Sequence, residues 1–258
     1  YRDFNEILNH IDNLVRQVKK QPPLSSNIDQ ELLETYLDEA ANHCLENRFD
    51  LSFEYAQKAI QLNPQSASAY FYRGYAKGER KDHYGAIMDL TEAINIDSKS
   101  AEYFAVRADE YFKIGEYDNA INDFTETIKL NPKNPDVPQY YLERGNSYTK
   151  KREYSKAIDD YLEAKRINPK FTMAYKALAI AYLEGHKDSI DRMFWGATSS
   201  SIQDSKLFED TYIRPRYKQA VLNAIQAYQK YLDLGGGDMY GDKDVIESLI
   251  NRLLKELQ

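Results

Sequence analysis

Cysteine is nearly missing from this chain: Cys44 stands alone among 258 residues. That excludes an internal disulfide and any multi-cysteine metal site, and it leaves every compartment open. No apolar run is long enough to cross a bilayer as a helix, in keeping with a mean hydropathy of −0.70. Positive charge is in deficit as well, with 34 Lys+Arg against 41 Asp+Glu and a net charge of −7. Nucleic acid is therefore not an expected partner, because neutralising phosphates takes a basic surface. Glycine is scarce at 11 residues, and one tryptophan, Trp195, stands against 22 tyrosines. Few glycines and many amphipathic rings suit packed helices better than a loop-rich enzyme. His10, His43, His83 and His186 are scattered, with no metal-ligand spacing and no nucleophile beside a base. No catalytic residue, metal or cofactor is expected from them.

Other absences are local. The run from Gly235 to Asp242, GGGDMYGD, follows a helical pattern rather than a strand. It reads as a helix-terminating loop, not as a dinucleotide cradle or a tandem calcium repeat. The chain opens on Tyr1 instead of methionine, so a removed leader or anchor stays open. A cytoplasmic location is favoured, with a periplasmic or membrane-anchored one as the alternatives.

What is present is a period. Residues 101–134 read as two short amphipathic helices: Phe104, Arg107, Ala108 and Tyr111 before Gly115, then Tyr117, Ala120, Phe124, Thr127 and Ile128 before Pro132. Neither is long enough to stand alone in water, so each has to bury a face on a neighbour. A small residue recurs as Ala40, Gly74, Ala108, Gly145 and Ala179, in steps of 34, 34, 37 and 34. Ser52, Ala86, Ala120 and Ala157 keep the same steps. So do the stops Asn63-Pro64, Asp97-Ser98, Asn131-Pro132 and Asn168-Pro169. The longer step falls where NPKNPDVPQ lengthens a turn. Three positions keeping one period predict a solenoid of stacked helix pairs.

The residues resemble the tetratricopeptide repeat. Tyr141, Arg144, Gly145 and Tyr148 match that family's first helix, and Tyr154, Ala157, Tyr161, Ala164 and Pro169 its second. Lys77, Ser98 and the arginines Arg73, Arg107 and Arg144 depart from it, the arginines with stems that can pack while their heads reach water or a carboxylate. The resemblance implies an all-α, right-handed superhelical solenoid of antiparallel helix pairs. Repeats are expected near 33–66, 67–100, 101–134, 138–171 and 172–234, after a linker and helix start over 21–32. The fifth is interrupted by an insertion over about 187–214, with a short helical part around Ile190 to Trp195. Residues 1–20 predict an amphipathic helix, with Phe4, Ile7, Leu8, Ile11, Leu14, Val15 and Val18 on one stripe. Residues 238–258 predict a capping helix with Val245, Leu249, Ile250, Leu253, Leu254 and Leu257 on its apolar face.

In such a family the first helices of successive repeats line a concave groove that takes a protein or peptide segment. The resemblance places Asp38, Phe71, Tyr72, Tyr75, Glu79, Glu102, Asp109, Phe112, Lys113 and Asn146 on that face. The basic clamp by which one subclass grips carboxylate tails is missing, since its positions hold Leu37, Ala41, Tyr72, Glu102 and Val106. Rings ringed by carboxylates instead predict a segment with apolar and basic anchors. A second candidate contact is Met193, Phe194 and Trp195 in the insertion. The expected function is a non-enzymatic interaction scaffold. The alternative is a self-associating or assembly factor that uses residues 1–20 or the insertion.

Overall fold

The computed structural model describes residues 27–196 and 214–257. The stripe over residues 1–20 and the serine-rich part of the expected insertion lie outside them. All regular structure among the described residues is helical. The chain divides into two compact units, 1–116 and 117–258.

The first unit holds α1 (Asn27–Leu45), α2 (Phe49–Leu62), α3 (Ala67–Glu79), α4 (His83–Ile96) and α5 (Ala101–Lys113). Each helix packs on the next, and α1, α3 and α5 also pack side by side. The second unit holds α6 (Tyr117–Leu130), α7 (Val137–Lys150), α8 (Tyr154–Ile167), α9 (Thr172–Gly196), α10 (Arg214–Asp233), α11 (Gly236–Tyr240) and α12 (Lys243–Glu256). Here α7 meets α9 directly, and α10 carries α11 and α12 on its flank. Both units are stacks of antiparallel helix pairs, the arrangement of a helical solenoid.

The periodic small residues explain the stacking. Ala40, Ala108 and Ala179 have no exposed surface, nor have Ser52, Ala86, Ala120 and Ala157. At Gly74 an added Cβ would lie 3.0 Å from the Leu90 side chain and 3.2 Å from the Ala86 carbonyl, so α3 and α4 touch almost backbone to backbone. Large side chains fill the space that the small residues leave, with Phe124 at 1% and Tyr161 at 2% exposure. Burying a side chain of that size stabilises the fold by about 2–3 kcal/mol.

The turns repeat as faithfully as the core. Asn47, Lys81, Gly115 and Arg152 all have positive φ, between 57° and 84°, in the left-handed region that ends a helix and lets its partner double back. At the far end of each pair the stop is an oxygen rather than a proline ring. The side chains of Asn63, Asp97 and Asn168 accept from the backbone N–H two residues on, each at 3.0 Å. Asn134 does the same for Asp136 at 2.8 Å, inside the lengthened turn. Asp97 therefore closes its repeat with no proline after it.

Two expectations change. The first helix of the fifth repeat does not stop where the insertion was expected to begin, at about 187, but runs on through Gly185 as α9 to Gly196 and takes in the short helical part expected around Ile190 to Trp195. Helical glycine costs only about 1 kcal/mol relative to alanine. A Cβ at Gly185 would lie 2.8 Å from that of Tyr154, so the close packing of α8 requires a glycine there. In α12, Val245 (67% exposed) and Leu254 (43%) do not face the core. Ile246, Ile250 and Leu253 do.

Candidate functional site

The first unit gathers most of the expected partner-binding residues on three adjacent helices. Asp38 comes from α1, Phe71, Tyr72, Tyr75 and Glu79 from α3, and Glu102, Asp109 and Phe112 from α5. Their positions differ in kind. Phe71 is 7% exposed and stacks on Tyr103 at 5.0 Å between ring centres, with the Tyr72 ring edge-on at 5.3 Å. It braces the face from below. Tyr72, Tyr75 and Phe112 are half-buried, and Asp38, Glu79, Glu102 and Asp109 are exposed.

Charge ties these groups together. Partial burial raises the Tyr72 hydroxyl pKa, and the carboxylates of Glu102 and Asp38 raise it further. The Tyr75 hydroxyl is raised by burial and then by Glu79, with Asp109 adding to it and Lys113 opposing. Partial loss of solvent raises the Glu102 carboxyl above the usual carboxylate range. The face is thus a pair of rings in a negative field, which attracts a cation and offers it aromatic surface.

Asn146 lies in the second unit and is already engaged. Its Oδ1 accepts from the Tyr161 hydroxyl at 2.9 Å, and its Nδ2 donates to Glu143 at 3.1 Å. Thr149 pairs with the same hydroxyl at 2.9 Å. Met193, Phe194 and Trp195 fall on the last turns of α9, but their side chains lie outside the described residues.

The sequence did not reveal how the departing arginines are used. Arg73 makes a two-pronged pair with Asp89, through Nε at 2.8 Å and Nη2 at 2.7 Å, and Lys77 reaches the same carboxylate at 2.8 Å. Arg144 grips Asp160 in the same way, at 2.9 and 2.7 Å. Both pairs span 16 residues, and the aspartates are 5% exposed. The signal was in the sequence as that fixed spacing. A second polar cluster is peculiar to one repeat junction. Glu110, 3% exposed, accepts Lys113 at 2.6 Å and pairs with His83 Nδ1 at 2.7 Å.

Among the described residues, no group of three or more His, Cys, Asp or Glu side chains is placed to hold a metal ion. No described helix is long and apolar enough to cross a membrane. Comparison with known proteins follows the helices. A family model described as tetratricopeptide repeat matches residues 106–170. Residues 106–170 are tetratricopeptide repeats. Serine/threonine-protein phosphatase 5 of Rattus norvegicus is 28% identical over 120 residues, which is 46% of this chain and 23% of the phosphatase. A TPR repeat-containing protein of Methanocaldococcus jannaschii is 28% identical over 78 residues, 30% of this chain and 14% of its own length. The chain thus spans less than a quarter of the curated relatives it matches.

Solved structures resemble it over more of its length. A MamA crystal structure superposes with a TM-score of 0.60 at 20% identity, covering 82% of this chain and 96% of MamA. PilF of Pseudomonas aeruginosa gives 0.55 at 15% identity, covering 81% and 98%. YrrB, described as a TPR protein with an unusual peptide-binding site, gives 0.54 at 12% identity, covering 78% and 90%. At these identities the likeness is one of fold.

Proposed function

We propose that this protein is a non-enzymatic tetratricopeptide-repeat scaffold that binds a protein segment across α1, α3 and α5. The observation that carries this reading is the pair of half-buried rings, Tyr72 and Tyr75, set among the carboxylates of Asp38, Glu79, Glu102 and Asp109. A segment with an apolar side chain followed by lysine or arginine would bury ring surface and meet opposite charge in one footprint. The positions of a cationic clamp for a carboxylate tail hold Leu37, Ala41, Tyr72, Glu102 and Val106, and the basic Lys113 assigned to this face is held by Glu110. The unusual peptide-binding site ascribed to YrrB adds a precedent within the fold.

A panel of immobilised peptides varying in apolar and basic content tests this on the full chain. Peptides with an apolar residue next to lysine or arginine are expected to bind. Tyr72→Ala and Tyr75→Ala are each expected to weaken that binding by about tenfold or more, with far-UV circular dichroism unchanged. Glu102→Gln is expected to weaken the basic peptides selectively. Full affinity in both tyrosine variants, or equal binding of acidic peptides, would overturn the reading.

A further inference from the structure

Helix α12 has two distinct faces. Its inner stripe is buried: Ile246 and Ile250 join the core of the second unit, and Leu253 is 5% exposed. The opposite face is fixed by that orientation and carries a shallow depression of about 440 Å³ lined by Asp244, Glu247, Ser248, Asn251, Arg252 and Lys255. Val245 and Leu254, 67% and 43% exposed, flank it.

The order of these residues has an internal symmetry. Counted outward from the bond between Leu249 and Ile250, Asp244 answers Lys255, Glu247 answers Arg252, and Ser248 answers Asn251. The flanking Val245 answers Leu254. The helix thus reads the same from both ends in polarity, with every charge inverted. Of the residues that line the depression, the two acids stand together at one end and the two bases at the other. None of the four makes an ion pair with another described residue.

We propose that two copies of this chain pair through α12, antiparallel about a two-fold axis at that bond. A two-fold interface requires a surface complementary to itself. An antiparallel pairing sets the acidic end of each helix against the basic end of the other, level by level, and opposes the two helix dipoles favourably. Serine and asparagine at the axis allow close approach and hydrogen bonding. Val245 and Leu254 lie at matching heights on the two flanks, where the pairing covers them. Compensation of a single helix dipole accounts for acids first and bases last, but not for exposed apolar residues at mirrored positions. This surface lies in the second unit and is independent of the peptide face on α1, α3 and α5.

Light scattering on the full chain across a dilution series tests the proposal. The wild-type mass is expected to rise from the monomer's 30.0 kDa toward twice that value. Asp244→Lys with Glu247→Arg makes the face wholly basic, and Arg252→Glu with Lys255→Glu makes it wholly acidic. Each double variant is expected to raise the dissociation constant by about tenfold or more, and an equimolar mixture of the two to restore the dimer. Ser248→Arg places a like charge beside the axis while leaving both helix ends intact. It should also favour the monomer, which keeps the test valid if reversed end charges loosen α12 in circular dichroism. A mass of 30.0 kDa at every concentration, or a dimer that none of these changes weakens, would overturn the proposal.

Discussion

At the scale of single residues, two positions show how tightly the repeat constrains its side chains. Gly145 lies beneath the Tyr161 ring, where an added Cβ would sit 2.5 Å from a ring carbon. The ring is 2% exposed and its hydroxyl is held by Asn146 and Thr149, so it has little room to yield. Gly145→Ala is expected to destabilise the chain by about 2–3 kcal/mol in urea unfolding, the usual range for overpacking. Lys81 shows the opposite case. Its φ of 67° is one that a residue with a Cβ adopts at a cost of about 1 kcal/mol. The third repeat has Gly115 at the matching turn, with φ 84°. Lys81 is exposed, and its N–H donates to the Gly78 carbonyl at 2.9 Å, a bond that glycine would keep. Lys81→Gly should raise stability by up to about 1 kcal/mol, less the extra entropy glycine brings to the unfolded chain. A fall in the denaturant midpoint would contradict the assignment of strain to this turn.

At the scale of elements, the polar junction between α4 and α5 is best understood as an exchange of one packing solution for another. At the positions of His83, Glu110 and Gly78, the first repeat and its successor have Phe49, Ala76 and Cys44. An aromatic ring, a small residue and a side chain have become an imidazole, a buried carboxylate and a glycine. The exchange is coupled by volume, since a Cβ on Gly78 would lie 2.6 Å from a Glu110 oxygen. Glu110→Ala alone strips His83 and Lys113 of their partner and opens a cavity, and should cost about 3 kcal/mol. The triple change His83→Phe, Glu110→Ala and Gly78→Cys installs the first repeat's set and should recover most of that loss. Additive damage in thermal melts would show that the three positions are not one unit.

The same junction marks the limit of what the sequence disclosed. Helix pairs, turns and the small positions were legible because each depends on one residue type at a fixed period. Asp97 without its proline was legible as a stop because the capping oxygen, not the ring, does the terminating. The continuation of α9 past Gly185 was not, because a helical glycine required by the Tyr154 contact looks like a terminator when read alone. Neither was the facing of α12, whose apolar residues are numerous enough to support two stripes. On the candidate site, the rings and carboxylates of α3 and α5 were named from register. That Phe71 packs beneath and that Asn146 is held by Tyr161 depends on side-chain geometry, which register does not carry.

For the whole molecule, the tyrosines set an alkaline limit that falls unevenly on the two units. In residues 117–258, burial pushes the Tyr228 hydroxyl from the usual 10.0 to about 12, with the carboxylates of Glu184 and Asp242 adding to it. Burial also raises Tyr161 and Tyr231 strongly. In residues 27–116, the raised tyrosines are Tyr70, Tyr72 and Tyr75, all only half-buried. A raised tyrosine keeps its proton in the folded chain after the unfolded chain has released it. Its contribution to stability is therefore complete below pH 10 and is lost as pH rises toward about 12. Tyr228 is 4% exposed, so Tyr228→Phe removes the titrating group while keeping the buried ring. Urea midpoints followed by circular dichroism across that pH window are expected to fall steeply for the wild type and less steeply for Tyr228→Phe. Tyr72→Phe, on the solvent-accessible face of the other unit, should leave the slope nearly unchanged. If both variants matched the wild type, the alkaline loss would lie with groups other than these buried rings, and the core of the second unit would not be the part of the molecule that base undoes first.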